Sequence, residues 1–460
     1  FFMENARKFD KVVNLAKTRG FVFSSSDIYG GLNSIYDYGP LGVELKNNIK
    51  QAWWDFMLAR RDVVGLDSAI LAHPKIWEAS GHLEGFTDPL VDCKKCKARF
   101  RADNLLEKKG IKPEFVQGKP QNMNDVKCPD CGGDLTDVRQ FNLMFKTFMG
   151  ALEDQASQVY MRPETAQGIY VNFLHVKDSM RMKMPFGVAQ IGKAFRNEIT
   201  PGNFIFRMRE FEQMEMQYFV KESDTQKIFD NWQKLRMEWY LGLGIDKNNI
   251  RFRDHAKDEL AHYAKQAIDI EYKFAFTPNE DFKELEGIHD RGNWDLSRHQ
   301  EFSGQKMSVS DDDGAYVPNV IETSGGVDRA MLAFLMDAYD EVDTRSGDKD
   351  AKHATEVVLR LHPKLAPIKI AILPLSKKPD LAGKTQEVYD MLVNKYRIQY
   401  DETGSIGKRY RRQDEIGTPY CVTVDFDSLE DKQVTVRDRD TMKQERIAIK
   451  DLANYFVDKF

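Results

Sequence analysis

The sequence predicts an α+β protein of two or three domains, and three observations carry that reading. The chain has 460 residues, too many for one ordinary core. Residues 192–219, GKAFRNEITPGNFIFRMREFEQMEMQYF, alternate on both sides of a Pro201-Gly202-Asn203 turn, as an antiparallel hairpin does. Past a charged, turn-rich stretch at 341–364, strand and helix patterns alternate to the C-terminus, which suits a small α/β unit.

Composition narrows the class. With 42% hydrophobic and 30% charged residues, a soluble globular protein is expected. No apolar run of about eighteen residues occurs, so no membrane span is expected. Phe1-Phe2-Met3-Glu4 is not a basic stretch leading into an apolar one, so no secretory signal is expected. The five cysteines form two Cys-x-x-Cys pairs plus Cys421. That is no secreted disulfide framework, and a cytoplasmic location is the default expectation. A net charge of −5 disfavours a surface that coats nucleic acid, while leaving room for a local basic patch.

In chain order, DIYGGLNSIYDYGPLG reads as a Gly- and Tyr-rich loop wall. Leu45, Ile49, Trp53, Phe56 and Met57 then make one helical stripe across 44–61. Gly65 breaks that pattern, and LDSAILAH reads as a strand stopped by Pro74. Cys93-Lys-Lys-Cys96 and Cys128-Pro-Asp-Cys131 follow, separated by 31 residues. Two such knuckles supply four thiolates for a structural, tetrahedral Zn²⁺; four reduced cysteines or a redox pair are the alternative. In VYMRPETAQGIYVNFLH, Thr165 reads as a cap for a helix from Ala166, with Gly168 as an early interruption.

On the hairpin, residues two apart share a face, so Arg196 and Glu198 project together, as do Phe211, Gln213 and Glu215. An arginine fork, an aromatic ring and carboxylates suit a nucleotide beside a small polar substrate. A solvated amphipathic hairpin would alternate in the same way. Residues 226–243 repeat helical spacing through Ile228, Trp232, Leu235 and Trp239. Residues 251–274 read as a charged helix running into a strand at IDIEY. In FKELEGIHDR, Glu284 and Glu286 alternate with Leu285 and Gly287. Both carboxylates should therefore face one side of a strand, able to hold Mg²⁺ beside polyphosphate or simply to face solvent. VPNVIETSGGVDRAMLAFLMDAYD reads as strand, Gly325-Gly326, then a helix whose N-terminus and Arg329 favour an anion. It is neither a P-loop nor GxGxxG. In the C-terminal unit, Lys408, Arg409, Arg411 and Arg412 cluster around Tyr410, a recipe for RNA contact or an ordinary solvated face.

Phe195-Arg196-Asn197-Glu198 with Arg207…Phe211 resembles motif 2 of the class II aminoacyl-tRNA synthetases. The 321–329 segment ending Asp328-Arg329 resembles motif 3, and the helix-strand-Pro74 unit resembles the looser motif 1. Through RPETAQGIY, FRNEITP, REFEQMEMQYF, ELEGIHDR and ETSGGVDR, the chain from about residue 8 onward is most similar to the glycyl-tRNA synthetases of the homodimeric type.

That resemblance implies an antiparallel-sheet catalytic domain at 3–90 and 141–345, with a zinc-knuckle insertion at 91–140. A linker at 346–364 and an anticodon-binding α/β domain at 365–460 would follow. It implies glycine, ATP with Mg²⁺, tRNA(Gly) and a second copy of the chain as partners. Arg196 and Arg329 would be catalytic. ATP would meet Arg196, Asn197, Glu198, Phe206, Arg207, Met208, Arg209, Glu210, Phe211, Glu284, Leu285, Gly326, Val327, Asp328 and Arg329, with Glu284 a candidate Mg²⁺ ligand. Glycine would meet Arg101, Glu164, Phe211, Glu212, Gln213, Met214, Glu215, Glu322, Thr323, Ser324, Gly325 and Gly326. Cys93, Cys96, Cys128 and Cys131 would hold zinc. Ser324 stands where motif 3 usually has glycine, which narrows the pocket toward the smallest amino acid and makes an editing domain unnecessary. The competing readings are a class II synthetase for another small amino acid and a non-catalytic nucleic-acid-binding relative. Cys421, His289 and His299 acquire no role.

Overall fold

The computed structural model describes residues 7–116, 119–151, 157–257, 259–260, 264–276, 282–343 and 355–460. Its centre is a seven-stranded sheet whose strands are numbered in chain order: β1 (Val63–Gly65), β2 (Phe186–Phe195), β3 (Glu210–Val220), β4 (Ile250–Asp254), β5 (Gln266–Lys273), β6 (Phe282–Gly292) and β7 (Asn319–Gly326). They lie in the order β4-β5-β6-β7-β3-β2-β1, all antiparallel except the β2–β1 edge pair.

The two faces of β3 are covered by different elements. Met214, Met216, Tyr218 and Val220 enter the main core with helices α1 (Pro40–Leu58), α3 (Thr225–Gly242) and α4 (Val327–Ala338). Of the predicted stripe, Leu45, Ile49, Trp53 and Met57 are fully buried there and Phe56 is partly buried, each fully buried side chain stabilising by about 1.5–3 kcal/mol. Phe219 packs on the opposite face, with Phe173 and Phe186 beneath the short helix α2 (Ala166–Val171).

Several expectations are corrected. β2 and β3 pair as the expected hairpin, but β3 begins at Glu210, and 196–209 form a loop with a 3₁₀ turn at Phe204–Phe206. Arg196 and Glu198, expected at the end of the first strand, and Arg207 and Arg209 therefore belong to that loop. Gly65 ends a strand, the LDSAILAH strand shrinks to Leu71–Ala72, and Pro74 begins the helix Pro74–Ala79, as its fixed φ allows at N1. The stretch read as a charged helix opens with strand β4; residues 258 and 261–263 lie outside the described residues. Helix α2 runs through Gly168 without a break. A Cβ at Gly168 would come within 2.0 Å of Ser68 Oγ, so close packing accounts for that glycine.

The stretch expected as a linker contains a strand, Thr355–Leu359, paired with Tyr339–Asp343; residues 344–354 lie outside the described residues. The C-terminal unit carries β8 (Ile370–Pro374), β9 (Ile398–Tyr400), β10 (Tyr420–Val424), β11 (Gln433–Asp438) and β12 (Gln444–Ala448), in the order β9-β8-β10-β11-β12. Its basic cluster lies on the helix Ile406–Ile416 and is largely consumed internally. Arg409 donates to Pro374 O, Arg412 bonds Asp401 at 2.5 Å, Arg411 pairs with Glu356 at 3.1 Å, and the Tyr410 hydroxyl bonds Thr423. Among the described residues no helix is long and apolar enough to cross a membrane.

Candidate active site

Antiparallel register assembles the site. Glu215 on β3 lies opposite Ser324 on β7, and Gln217 lies opposite Glu322, which in turn faces His289 on β6. With the loop before β3 and the start of α4, these strands enclose a cavity of about 920 Å³, counting the part open to solvent. Its lining of carboxylates, arginines and rings suits a nucleotide beside a small polar ligand.

One end is acidic. Glu215, 2% exposed, accepts from the Thr165 hydroxyl, from Ser324 Oγ at 2.7 Å and from Gln213 Nε2 at 3.3 Å. Thr165 does stand at the N-cap position before Ala166, but its side chain makes no capping hydrogen bond and its hydroxyl serves the site instead. Burial, with repulsion from Glu322 and Glu164, pushes the Glu215 carboxyl up to about 8. Burial also opposes ionisation of Glu322, but Arg291 and His289 outweigh it and bring that carboxyl down to about 2. His289 Nδ1 lies 2.8 Å and Arg291 Nη1 3.2 Å from Glu322. Arg291 also forks onto Asp295 at 2.8 and 3.0 Å. Burial opposes ionisation of Glu164 too, which is only 15% exposed, but His82 and Arg291 hold its carboxyl well below the ordinary carboxylate range; His82 Nε2 is 3.4 Å away.

The other end is cationic and aromatic. Arg196 donates through Nε to Pro163 O at 2.9 Å, and its guanidinium lies 5.3 Å from both the Phe86 and Phe211 ring centres. Among the described residues no carboxylate pairs with Arg196 or Arg207, although both line the cavity. Arg329 lies 4.4 Å over Phe206, donates to Phe206 O at 3.1 Å and pairs with Glu284 at 3.2 Å. Arg329 is also the main reason the Glu284 carboxyl sits low. Glu198 Oε2 is buried with no hydrogen-bond partner among the described residues, an acceptor that a ligand N–H would satisfy.

Of the residues named from sequence, Glu164, Arg196, Glu198, Phe206, Arg207, Met208, Phe211, Gln213, Glu215, Glu284, Glu322, Ser324, Gly325, Gly326, Asp328 and Arg329 line the cavity. Arg101 does not; it pairs with Asp88 at 3.0 Å and Asp103 at 2.6 Å. Glu212 turns to Lys46 on the reverse face, Glu210 pairs with Lys193, and Arg209 donates to Glu198 O and Asn33 O. Met214, Leu285 and Val327 are core, Thr323 is buried, and the Asn197 N–H donates to Leu143 O. The expected Glu284–Glu286 pair is split by a register shift opposite Ile270 and Glu271. Glu284 faces the cavity, whereas Glu286 enters the core against Arg236 at 2.6 Å and Tyr240 at 2.8 Å. A bulge adds one residue and reverses facing. His82, His289 and Arg291 were given no site role from sequence. His289 and Arg291 at least lie in the quoted ELEGIHDR run, while His82 carries no local signal.

Cys93, Cys96, Cys128 and Cys131 bring all four sulfurs within 4.8 Å of one another, with Sγ–Sγ distances of 3.5 Å for Cys93–Cys131 and 3.6 Å for Cys96–Cys128. Tetrahedral Zn–S bonds of about 2.3 Å imply an edge of about 3.8 Å. The donor set therefore fits zinc.

An antiparallel sheet carrying the motif 2 hairpin and the motif 3 strand-helix, followed by an α/β unit, defines a class II aminoacyl-tRNA synthetase. In solved structures the fold is similar to a prolyl-tRNA synthetase from Cryptosporidium parvum, complexed with halofuginone and AMPPNP (TM-score 0.63, 15% identity, 98% of this chain and 78% of that one). Residues 369–459 match the model of an anticodon binding domain. The chain is 56% identical over 442 residues to a glycine–tRNA ligase of Treponema denticola, covering 95% of this chain and 94% of the relative. It is 54% identical over 472 residues to one from Acetivibrio thermocellus, covering 100% of each. The chain belongs to the glycine–tRNA ligase family.

Proposed function

We propose that this protein activates glycine with ATP to glycyl-adenylate and transfers glycine to the 3′ end of tRNA(Gly). The observation that carries the reading is one cavity with a carboxylate-lined end beside an arginine-lined end.

The ammonium of glycine sits among Glu164, Glu215 and Ser324, where the charges of Glu164 and Glu322 attract a cation and Glu215 ionises as it binds. Glu215 and Ser324 fill the space a side chain would need, so larger amino acids clash. Glu198 accepts from the adenine amino group, Phe211 stacks on the ring, and Arg329 covers its other face. Arg196 holds the α-phosphate. The glycine carboxylate attacks the α-phosphorus in line; an O–P bond forms, the bond to pyrophosphate breaks, and Arg196 meets the charge that grows in the transition state. The terminal ribose hydroxyl of tRNA then attacks the glycyl carbonyl and AMP leaves. No side-chain nucleophile is required, because positioning supplies most of the rate.

The half-exposed Glu284 carboxylate fits a Mg²⁺ that keeps most of its waters. When bound, that ion would neutralise phosphate charge. Zinc at the four cysteines would be structural, since four thiolates leave no open position. The 91–140 segment is then an insertion in a catalytic domain spanning 3–345, and 365–460 reads the anticodon. A homodimer in the cytoplasm completes the reading.

Amino-acid-dependent ATP–pyrophosphate exchange across the twenty amino acids tests it. Glycine should dominate; stronger exchange with alanine or serine would overturn the substrate.

A further inference from the structure

The geometry points to Lys46, on the long helix α1, as a positioning residue for the adenine slot, acting through Asp328 to set the spacing between Phe211 and Arg329. The inference rests on the reading of those two side chains as the slot's walls.

Asp328 precedes Arg329 on the first turn of α4, and its carboxylate is a staple. Oδ2 accepts the backbone N–H of Glu212 at 2.8 Å, next to Phe211. Oδ1 accepts from the Tyr38 hydroxyl and from Lys46 Nζ at 2.7 Å. Lys46 Nζ also lies 2.9 Å from Glu212 Oε2 and 3.9 Å over the Tyr38 ring. The strand bearing one wall and the helix bearing the other are thus joined through one buried carboxylate.

The side chains of Lys46 and Asp328 are only 9% and 3% exposed, so their charges are little screened by water. Lys50 also reaches Glu212, at 3.3 Å, but is 27% exposed and has no ion pair with Asp328 among the described residues. Without the Lys46 ammonium, the buried Asp328 carboxylate and the half-buried Glu212 carboxylate beside it have too little counter-charge. They relieve that by moving apart, which loosens the staple. The acidic end of the cavity is held by other partners, namely Thr165, Ser324, His289 and Arg291. The effect should therefore fall on ATP and spare glycine.

Pyrophosphate exchange with the full-length protein tests this. Lys46→Met should raise the KM for ATP about tenfold or more, the scale of a lost charged hydrogen bond, and leave the KM for glycine within about twofold. Lys46→Arg should recover part of the loss. Tyr38→Phe, which removes only a hydroxyl and keeps the ring, should raise the ATP KM several-fold if Lys46→Met fails to fold. In an Asp328→Asn background Lys46→Met should add little. Equal shifts in both KM values, a loss of kcat alone, or additive effects of the two substitutions would overturn the proposal. Phe211→Ala separates the layers. If it leaves the ATP KM unchanged, the slot reading fails; if it raises that KM while Lys46→Met and Tyr38→Phe do not, only the staple fails.

Discussion

Glu215 is the residue where removing a charge should help the fold and harm the function. Its carboxyl is pushed up to about 8, first by burial and then by the charges of Glu322 and Glu164. Against an ordinary glutamate value of 4.5, that corresponds to a cost on the order of 5 kcal/mol for holding the ionised form without a ligand. Because the folded pKa lies above the unfolded one, this group favours folding at low pH. Its contribution is lost as pH rises from about 4.5 to about 8 and stays lost above that. Glu215→Gln keeps shape, removes the charge, and should therefore raise stability at pH 8 by a few kcal/mol at most, read by urea unfolding. It should also raise the KM for glycine roughly 10- to 100-fold, the loss of a charged hydrogen bond. In the unsubstituted protein, glycine binding should take up the charge and release a proton. Affinity should then weaken by up to about tenfold per unit as pH falls below about 8. A Gln variant with unchanged glycine KM, or with the same pH dependence as the parent, would refute the assignment of Glu215 to the ammonium.

The remaining predictions concern the rest of the site and its supports. Arg196→Ala should lower exchange by about 100-fold or more while far-UV circular dichroism and the unfolding midpoint hold; near-parental activity would remove its role. Glu286→Ala should destabilise by roughly 3–5 kcal/mol, because it strands the Arg236 guanidinium in the core; a denaturation midpoint near the parent's would contradict that burial. Elemental analysis should return about one zinc per chain, and Cys128→Ser should lower both zinc content and protease resistance of the 91–140 segment.

Periodicity and local chemistry in the sequence determined much of this protein. The α1 stripe, the β2–β3 hairpin, the strand leading into α4 and the paired cysteines are signals of adjacent residues, so they survive without the fold. For the same reason Phe211, Gln213 and Glu215 could be placed on one face, and Arg196, Glu198 and Arg329 could be named. Tertiary structure decided whatever depends on residues far apart in the chain. A single bulge sends Glu286 into the core and leaves Glu284 at the cavity, against the alternation read from sequence. Thr165 gives its hydroxyl to Glu215 instead of to a helix end, because β3 passes beneath it. The basic run around Tyr410 is spent on β8, Asp401 and Glu356, which no local pattern announces. The charge states of Glu164, Glu215 and Glu322 belong to this second group as well. They are set by burial and by His82, His289 and Arg291, and a side chain's pKa follows from what surrounds it in space.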